Sequence, residues 1–295
     1  MLLTRRNLFR ACGVAGAATL LPGTAAAEPD GWFGWLRANR RHVAAVLDDG
    51  RGGRVVHRPH ERQPLASVRH VEHLAAYAAS GLGPRERVRV ADWEQYFLGL
   101  DGGAHQAALR ALGIASTNGV TADEPQRFVT VEQLVSVVVR HGDYAAGDWL
   151  RQRLGVAVPA FSTEVLRLVL GRAVEVERYL GDPRLRLEVL GRFPDVPKAY
   201  EGRRSWARGT WAGTAAEVHR ALTGASLDDP VVGSLPGVVA VGVGVRREDG
   251  RVGGAVVLTR EVDEAWSARA EELAGLVRTA LVEPAVLREF QVSLS

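Results

Sequence analysis

Ser67 and His70 stand three residues apart in the run Pro64-Leu65-Ala66-Ser67-Val68-Arg69-His70. On a helix that spacing sets a hydroxyl and an imidazole on one face. An imidazole with an ordinary pKa near ~6.5 is largely neutral at pH 7 and can accept a hydroxyl proton, the first step of nucleophilic catalysis. The same residue types also fit quieter roles, the serine satisfying backbone amides at a helix start and the histidine filling core space. A third reading gathers His70, His73, His105 and His141 around a metal for assisted hydrolysis, but no H-E-x-x-H or carboxylate-rich signature accompanies them. Lys198 is the only lysine of the chain, so a base at Ser67 has to be something else.

The elements that must position these groups follow from periodicity. Trp32, Phe33, Trp35 and Leu36 recur at helical spacing over 31–39. The apolar runs 42–47 and 54–57 flank the Gly-rich stretch 48–53, a hairpin signal. Over 67–79, Val71, Leu74, Ala75 and Ala78 form an apolar stripe with Ser67 at its head. Further helices are predicted over 104–112, 131–140, 144–154 and 163–180, the last with Ser162 as N-cap and Gly181 as stop. Thr214 caps a helix running to Leu222. A second hairpin joins 238–245 to 252–259, and an acid-rich helix from Asp263 to about Val282 closes the pattern. This order predicts an α+β protein in which both ends of the chain build one antiparallel sheet and the middle forms an all-helical lobe.

The first 27 residues read as an export signal. Thr4-Arg5-Arg6-Asn7-Leu8 resembles a twin-arginine motif, a weakly apolar run follows, and Ala25-Ala26-Ala27 offers a cleavage site. The run is shorter than the roughly 18–20 residues of a membrane span. Removing this segment removes Cys12, the single cysteine, so a mature chain has neither disulfide nor thiolate chemistry. It also removes three arginines, taking the formal net charge from +3 to zero, which gives no reason to expect nucleic acid. A composition that is 46% hydrophobic supports one large domain or two interleaved lobes over 28–295: a sheet lobe at about 31–66 and 216–295, and a helical lobe at about 67–215.

The motifs resemble those of the class A β-lactamases and penicillin-binding DD-peptidases. The run ending in Ser67 and His70 resembles their S-x-x-K, with histidine in place of lysine. Gly142-Asp143-Tyr144-Ala145-Ala146-Gly147-Asp148-Trp149-Leu150 resembles their S-D-N segment, with Gly142 for the serine and Tyr144 for the asparagine. Gly233-Ser234-Leu235-Pro236-Gly237 resembles the K-T-G strand, with Val231 where the second lysine belongs. Leu100-Asp101-Gly102-Gly103-Ala104-His105 is similar to actinobacterial members, and Glu177-Arg178-Tyr179-Leu180-Gly181 resembles E-x-x-L-N, whose glutamate activates the deacylating water.

The resemblance implies a β-lactamase/transpeptidase-like fold, with Ser67, His70, Asp143 and Tyr144 as the catalytic set. Gly233 and Ser234 would lie at the substrate, with backbone N–H groups of Ser67 and Ser234 as an oxyanion hole. It implies no cofactor, and as partner a small acyl substrate or cell-wall-related ligand bound by a secreted monomer. With both lysines and the motif serine replaced, the expectation is a degraded site with little β-lactam hydrolysis. The alternative is an active serine hydrolase acylated at Ser67 with His70 as base.

Overall fold

A computed structural model describes residues 31–225 and 230–295; the export signal read at 1–27 lies outside these residues. They divide into two compact units, 69–211 on the one hand and 31–68 with 212–295 on the other. Among the described residues nine strands run in chain order: β1 Val43–Asp48, β2 Arg54–His57, β3 Arg62–Pro64, β4 Arg87–Arg89, β5 Phe128–Thr130, β6 Ala212–Thr214, β7 Val231–Leu235, β8 Val238–Arg246 and β9 Val252–Arg260.

The sheet unit is built on five antiparallel strands in the order β2-β1-β9-β8-β7. Both predicted hairpins are present, β1 with β2 and β8 with β9. Its central strands read as nearly continuous small and branched apolar runs because both faces are buried. On one face Val43, Ala45, Leu47, Val241 and Val257 pack with Trp32, Trp35 and Leu36 of the Gly31–Asn39 helix. Leu273 and Val277 of the Ala270–Ala280 helix, and Leu287 and Phe290 of the Pro284–Leu294 helix, complete that layer. The Ala215–Ala225 helix covers the other face. Thr214 precedes it and exchanges hydrogen bonds with Glu217, each side chain accepting from the other's backbone N–H. β3 and β6 form a separate two-stranded pair.

The second unit is mainly helical, but not wholly so as expected. β4 pairs with β5, Val88 and Val129 pointing inward from segments of three residues, too short for a readable alternation. The single helix expected over 163–180 is two, Phe161–Leu170 and Val176–Gly181, because Gly171 adopts a left-handed φ of 68° and caps the first. Ser162 is inside that helix rather than its N-cap, which is Ala160. The helix expected over 263–282 is likewise divided, into Glu264–Ser267 and Ala270–Ala280. Among the described residues no helix is long and apolar enough to cross a membrane.

Candidate functional site

Ser67 belongs to the sheet unit. It occupies a 3-10 turn, Ala66–Arg69, entered through Ala66 at φ 45°, a left-handed conformation that costs a non-glycine residue about 1–3 kcal/mol and concentrates at functional sites. Strand β7 is an edge strand and passes directly beside the serine. A Cβ built on Gly233 would lie well under 3.0 Å from the Ser67 amide nitrogen and 2.8 Å from the Ala66 Cβ. Only glycine permits that approach. Side chains alternate along a strand, so Ser234 faces away from Ser67, and its hydroxyl meets that of Ser267 at 2.6 Å. Val231 shares the Gly233 side and is 1% exposed. The Ser67 residue is half-buried, and among the described residues its hydroxyl has no hydrogen-bond partner.

His70, His73, Asp143 and Tyr144 belong to the helical unit. His70 opens the His70–Ala79 helix and is buried. Its Nδ1 lies 3.1 Å from Nδ1 of His73, so one ring donates and the other accepts. The ring rests on the Tyr144–Leu154 helix, where a Cβ on Gly147 would come within 2.5 Å of the His70 Nδ1. Burial, reinforced by the Arg69 guanidinium, lowers the His70 pKa to about 3. His73 is also pushed well below 6.5, by burial first and then by the positive charges of its neighbours. The ordinary imidazole assumed from sequence is therefore replaced by a neutral ring that resists taking up a second proton at neutral pH. Each pKa unit is worth ~1.4 kcal/mol, so this ring is a much poorer proton acceptor.

Gly142, where the S-D-N serine would stand, has φ 65° and ends the Val131–His141 helix, its N–H donating to the Val138 carbonyl. A serine would be strained there. Asp143 starts the next helix, Oδ1 accepting from the Ala146 N–H at 3.1 Å. Its Oδ2 lies 2.9 Å from His105 Nδ1, and Glu94 Oε1 lies 3.4 Å from the other ring nitrogen. Burial opposes the charged ring of His105, but the two carboxylates prevail and raise its pKa to about 9. Phe97 stacks on this imidazole at 4.2 Å. The Tyr144 hydroxyl accepts from the Leu98 N–H at 2.7 Å and donates to the Gly99 carbonyl at 3.0 Å. Burial holds its phenol far above the usual range, so it stays protonated. Glu177 is exposed and pairs with Arg151 at 2.5 Å.

Sequence reasoning missed a buried polar node in the same unit. Asp148 is fully buried; Oδ1 accepts from the Phe161 N–H, and Oδ2 from both the N–H and, at 2.5 Å, the hydroxyl of Ser162. Burial raises the Asp148 pKa, the Ser162 bonds and Arg69 opposing. Arg69, 2% exposed, donates to the Pro159 carbonyl. The signal was Asp148 itself, a carboxylate directly after the small residues Ala145-Ala146-Gly147, but its partners lie 13 and 14 residues away. Among the described residues no group of three or more His, Cys, Asp or Glu side chains is placed to hold a metal. His70 and His73 meet each other, while His105 meets carboxylates.

No protein-family model matches the chain, and no curated protein matches it in sequence. Solved structures to which it is similar include a β-lactamase from Chitinophaga pinensis, at 14% identity and TM-score 0.41 over 90% of this chain and 98% of that one. A class A β-lactamase from Mycobacterium abscessus is similar at 17% identity and TM-score 0.42, over 85% of this chain and 96% of that one. PBP-A is similar at 12% identity and TM-score 0.42, over 89% and 94%. The likeness to these β-lactamases and to PBP-A is one of fold, and distant.

Proposed function

We propose that this chain is a secreted relative of the β-lactamases and penicillin-binding proteins whose acyl-transfer site has degraded, and that it acts by binding a small acyl or cell-wall-related ligand with little or no turnover. The observation that carries this reading is the state of His70. A base that replaces the motif lysine has to reach a hydroxyl and take its proton; this imidazole is buried, turned onto His73, seated against Gly147 and held neutral by its surroundings. The other polar candidates are similarly engaged. Asp143 binds His105 and caps a helix, Tyr144 pins the Leu98–Gly99 backbone, and Ser234 bonds Ser267. Val231 supplies no positive charge for a substrate carboxylate. Export by the twin-arginine route rests on Arg5, Arg6 and Ala25-Ala26-Ala27 alone.

One observation favours the second reading, an acyl-enzyme at Ser67. The left-handed Ala66 and the close passage of Gly233 keep the serine amide and hydroxyl beside an edge strand, and a backbone oxyanion hole survives side-chain replacement. Intact-mass analysis after exposure to a penicillin and to a fluorophosphonate separates the two. The degraded-site reading expects no stoichiometric adduct with the penicillin; an adduct mapped to Ser67 that forms and clears within minutes favours the hydrolase.

A further inference from the structure

The large apolar side chains left exposed among the described residues stand singly in their elements, with one exception. Leu187 and Leu190, 69% and 67% exposed, share the Pro183–Arg192 helix of the helical unit. Spaced by three, they lie on one face. The same geometry sets Pro183, Arg184 and Gly191 around Leu187, and all three are exposed. The opposite face buries Leu185 and Val189. The helix is fixed in place: Asp182 caps it, accepting from the Arg184 N–H at 2.9 Å, and Glu188 pairs with Arg172 at 2.7 Å. Arg186 donates to the Leu180 carbonyl at 2.5 Å. The outward face is therefore apolar at its centre and preformed.

The charge around those leucines has one sign. Glu188 is the one acid within the helix, and Arg172 neutralises it. The Arg184 guanidinium has no partner among the described residues, and that of Arg186 meets an uncharged carbonyl. The segment 171–209 holds nine basic and six acidic residues, in a chain that is balanced from residue 28 onward. Of those acids Glu177, Glu188 and Glu201 are paired, with Arg151, Arg172 and Arg204, and Asp182 is the cap. Among the described residues the side chains of Arg178, Arg184, Arg192 and Lys198 are without a partner, against Glu175 and Asp195 of opposite sign. A stable protein interface buries ~800 Å² a side, far more than one convex helix face with two leucines offers. A lipid surface asks for less: apolar side chains immersed to the depth of the headgroups, with arginines beside them at the phosphates. Anionic lipid adds an attraction that uncharged lipid lacks.

We propose that the outward face of the Pro183–Arg192 helix docks on an anionic lipid surface, with Leu187 and Leu190 immersed among the headgroups and Arg184 and Arg186 at the phosphates. The contact holds the helical unit at a membrane without any spanning segment. It rests on none of the groups used in the reading of Ser67, so either can fail without the other.

The test places a nitroxide label on this face of the full chain, through Leu187→Cys with Cys12→Ser, so that position 187 holds the single thiol. Vesicles of phosphatidylglycerol and phosphatidylcholine in equal parts are titrated in at ~0.1 M salt. Collision of the label with oxygen and with a water-soluble nickel complex reads whether it sits in lipid or in water. The label is expected to enter lipid on these vesicles and to stay in water on phosphatidylcholine alone. Adding Arg184→Gln/Leu190→Gln, which alters exposed side chains only, is expected to raise the lipid concentration at half-immersion about tenfold or more. A label introduced by Val292→Cys with Cys12→Ser, at a position 62% exposed in the sheet unit, is expected to stay in water throughout. A label at 187 that stays in water on the anionic vesicles overturns the proposal, whatever other segment tethers the chain. So does an unchanged midpoint in Arg184→Gln/Leu190→Gln, equal immersion of the label at 292, or equal immersion without anionic lipid. Shielding of the 187 label that follows protein concentration with no vesicles present overturns it in favour of a second copy of the chain.

Discussion

The backbone of Gly233 lies so close to the amide nitrogen of Ser67 that a single added carbon would fall well under 3.0 Å from it. The two are 166 positions apart in sequence, yet this contact fixes where the edge strand runs beside the serine. Gly233→Ala is expected to destabilise the protein by about 1–3 kcal/mol, the usual cost of overpacking. Gly275→Ala, in a helix where an added Cβ meets nothing within 4 Å, is expected to stabilise it by up to ~1 kcal/mol. Chemical denaturation of both variants measures the contrast; a neutral Gly233→Ala would mean the strand is free to retreat.

Stability is expected to peak near pH 6.5 and fall on both sides. Below it the unfolded chain takes up protons that the folded chain refuses, because His70 is lowered to about 3 and His73 is lowered well below 6.5. Above it the reverse holds, because His105 stays protonated in the folded state up to about 9 and its contribution is lost as the pH rises through that value. Each such group changes stability by about 1.4 kcal/mol per pH unit within its window. Urea unfolding from pH 4 to 10 reads the two arms. His105→Gln is expected to flatten the alkaline arm alone, and an unaltered alkaline slope would contradict the assignment.

Asp143 is assigned to holding the helical unit together. Asp143→Ala leaves the His105 charge with Glu94 only and removes a helix cap, an expected loss of about 3–5 kcal/mol. Asp143→Asn keeps an acceptor for the Ala146 N–H and is expected to lose less. In that variant fluorophosphonate labelling of Ser67, corrected for the folded fraction, is expected to match wild type. A labelling rate that collapses while the fold persists would return Asp143 to the reaction.

The proposed export by the twin-arginine route rests on Arg5 and Arg6. Replacing both with lysine is expected to retain the precursor in the cytoplasm, as fractionation and N-terminal sequencing would show, with wild-type processing leaving Glu28 at or near the new end. Secretion of the double variant at the wild-type level would remove the twin-arginine route.

What could be read from the sequence depended on the range of the interaction. The two hairpins were legible because a Gly-rich turn and the strands it joins are neighbours. The Ala270–Ala280 helix was legible within the acid-rich helix expected over 263–282, but not its separation from Glu264–Ser267. The 163–180 region read as one helix because apolar periodicity continues across Gly171, and only the backbone turn there shows the break. The Pro284–Leu294 helix was not foreseen; its buried Leu287, Phe290 and Leu294 become a stripe once the sheet face is there to receive them. At the site, residue types were legible and their commitments were not. His105 read as a free ligand until Asp143 and Glu94, 38 and 11 positions away, closed on it. His70 read as a base because burial, which decides its basicity, belongs to the packed structure.

The most direct test of the degraded-site reading is steady-state hydrolysis of a chromogenic cephalosporin by the purified protein, with Ser67→Ala as reference. Loss of a positioned base or of a charge at the reacting centre each typically costs about 10²–10⁴ in rate. The account predicts a turnover indistinguishable from that of Ser67→Ala. A Ser67-dependent turnover number of order 1 s⁻¹ or more would contradict it.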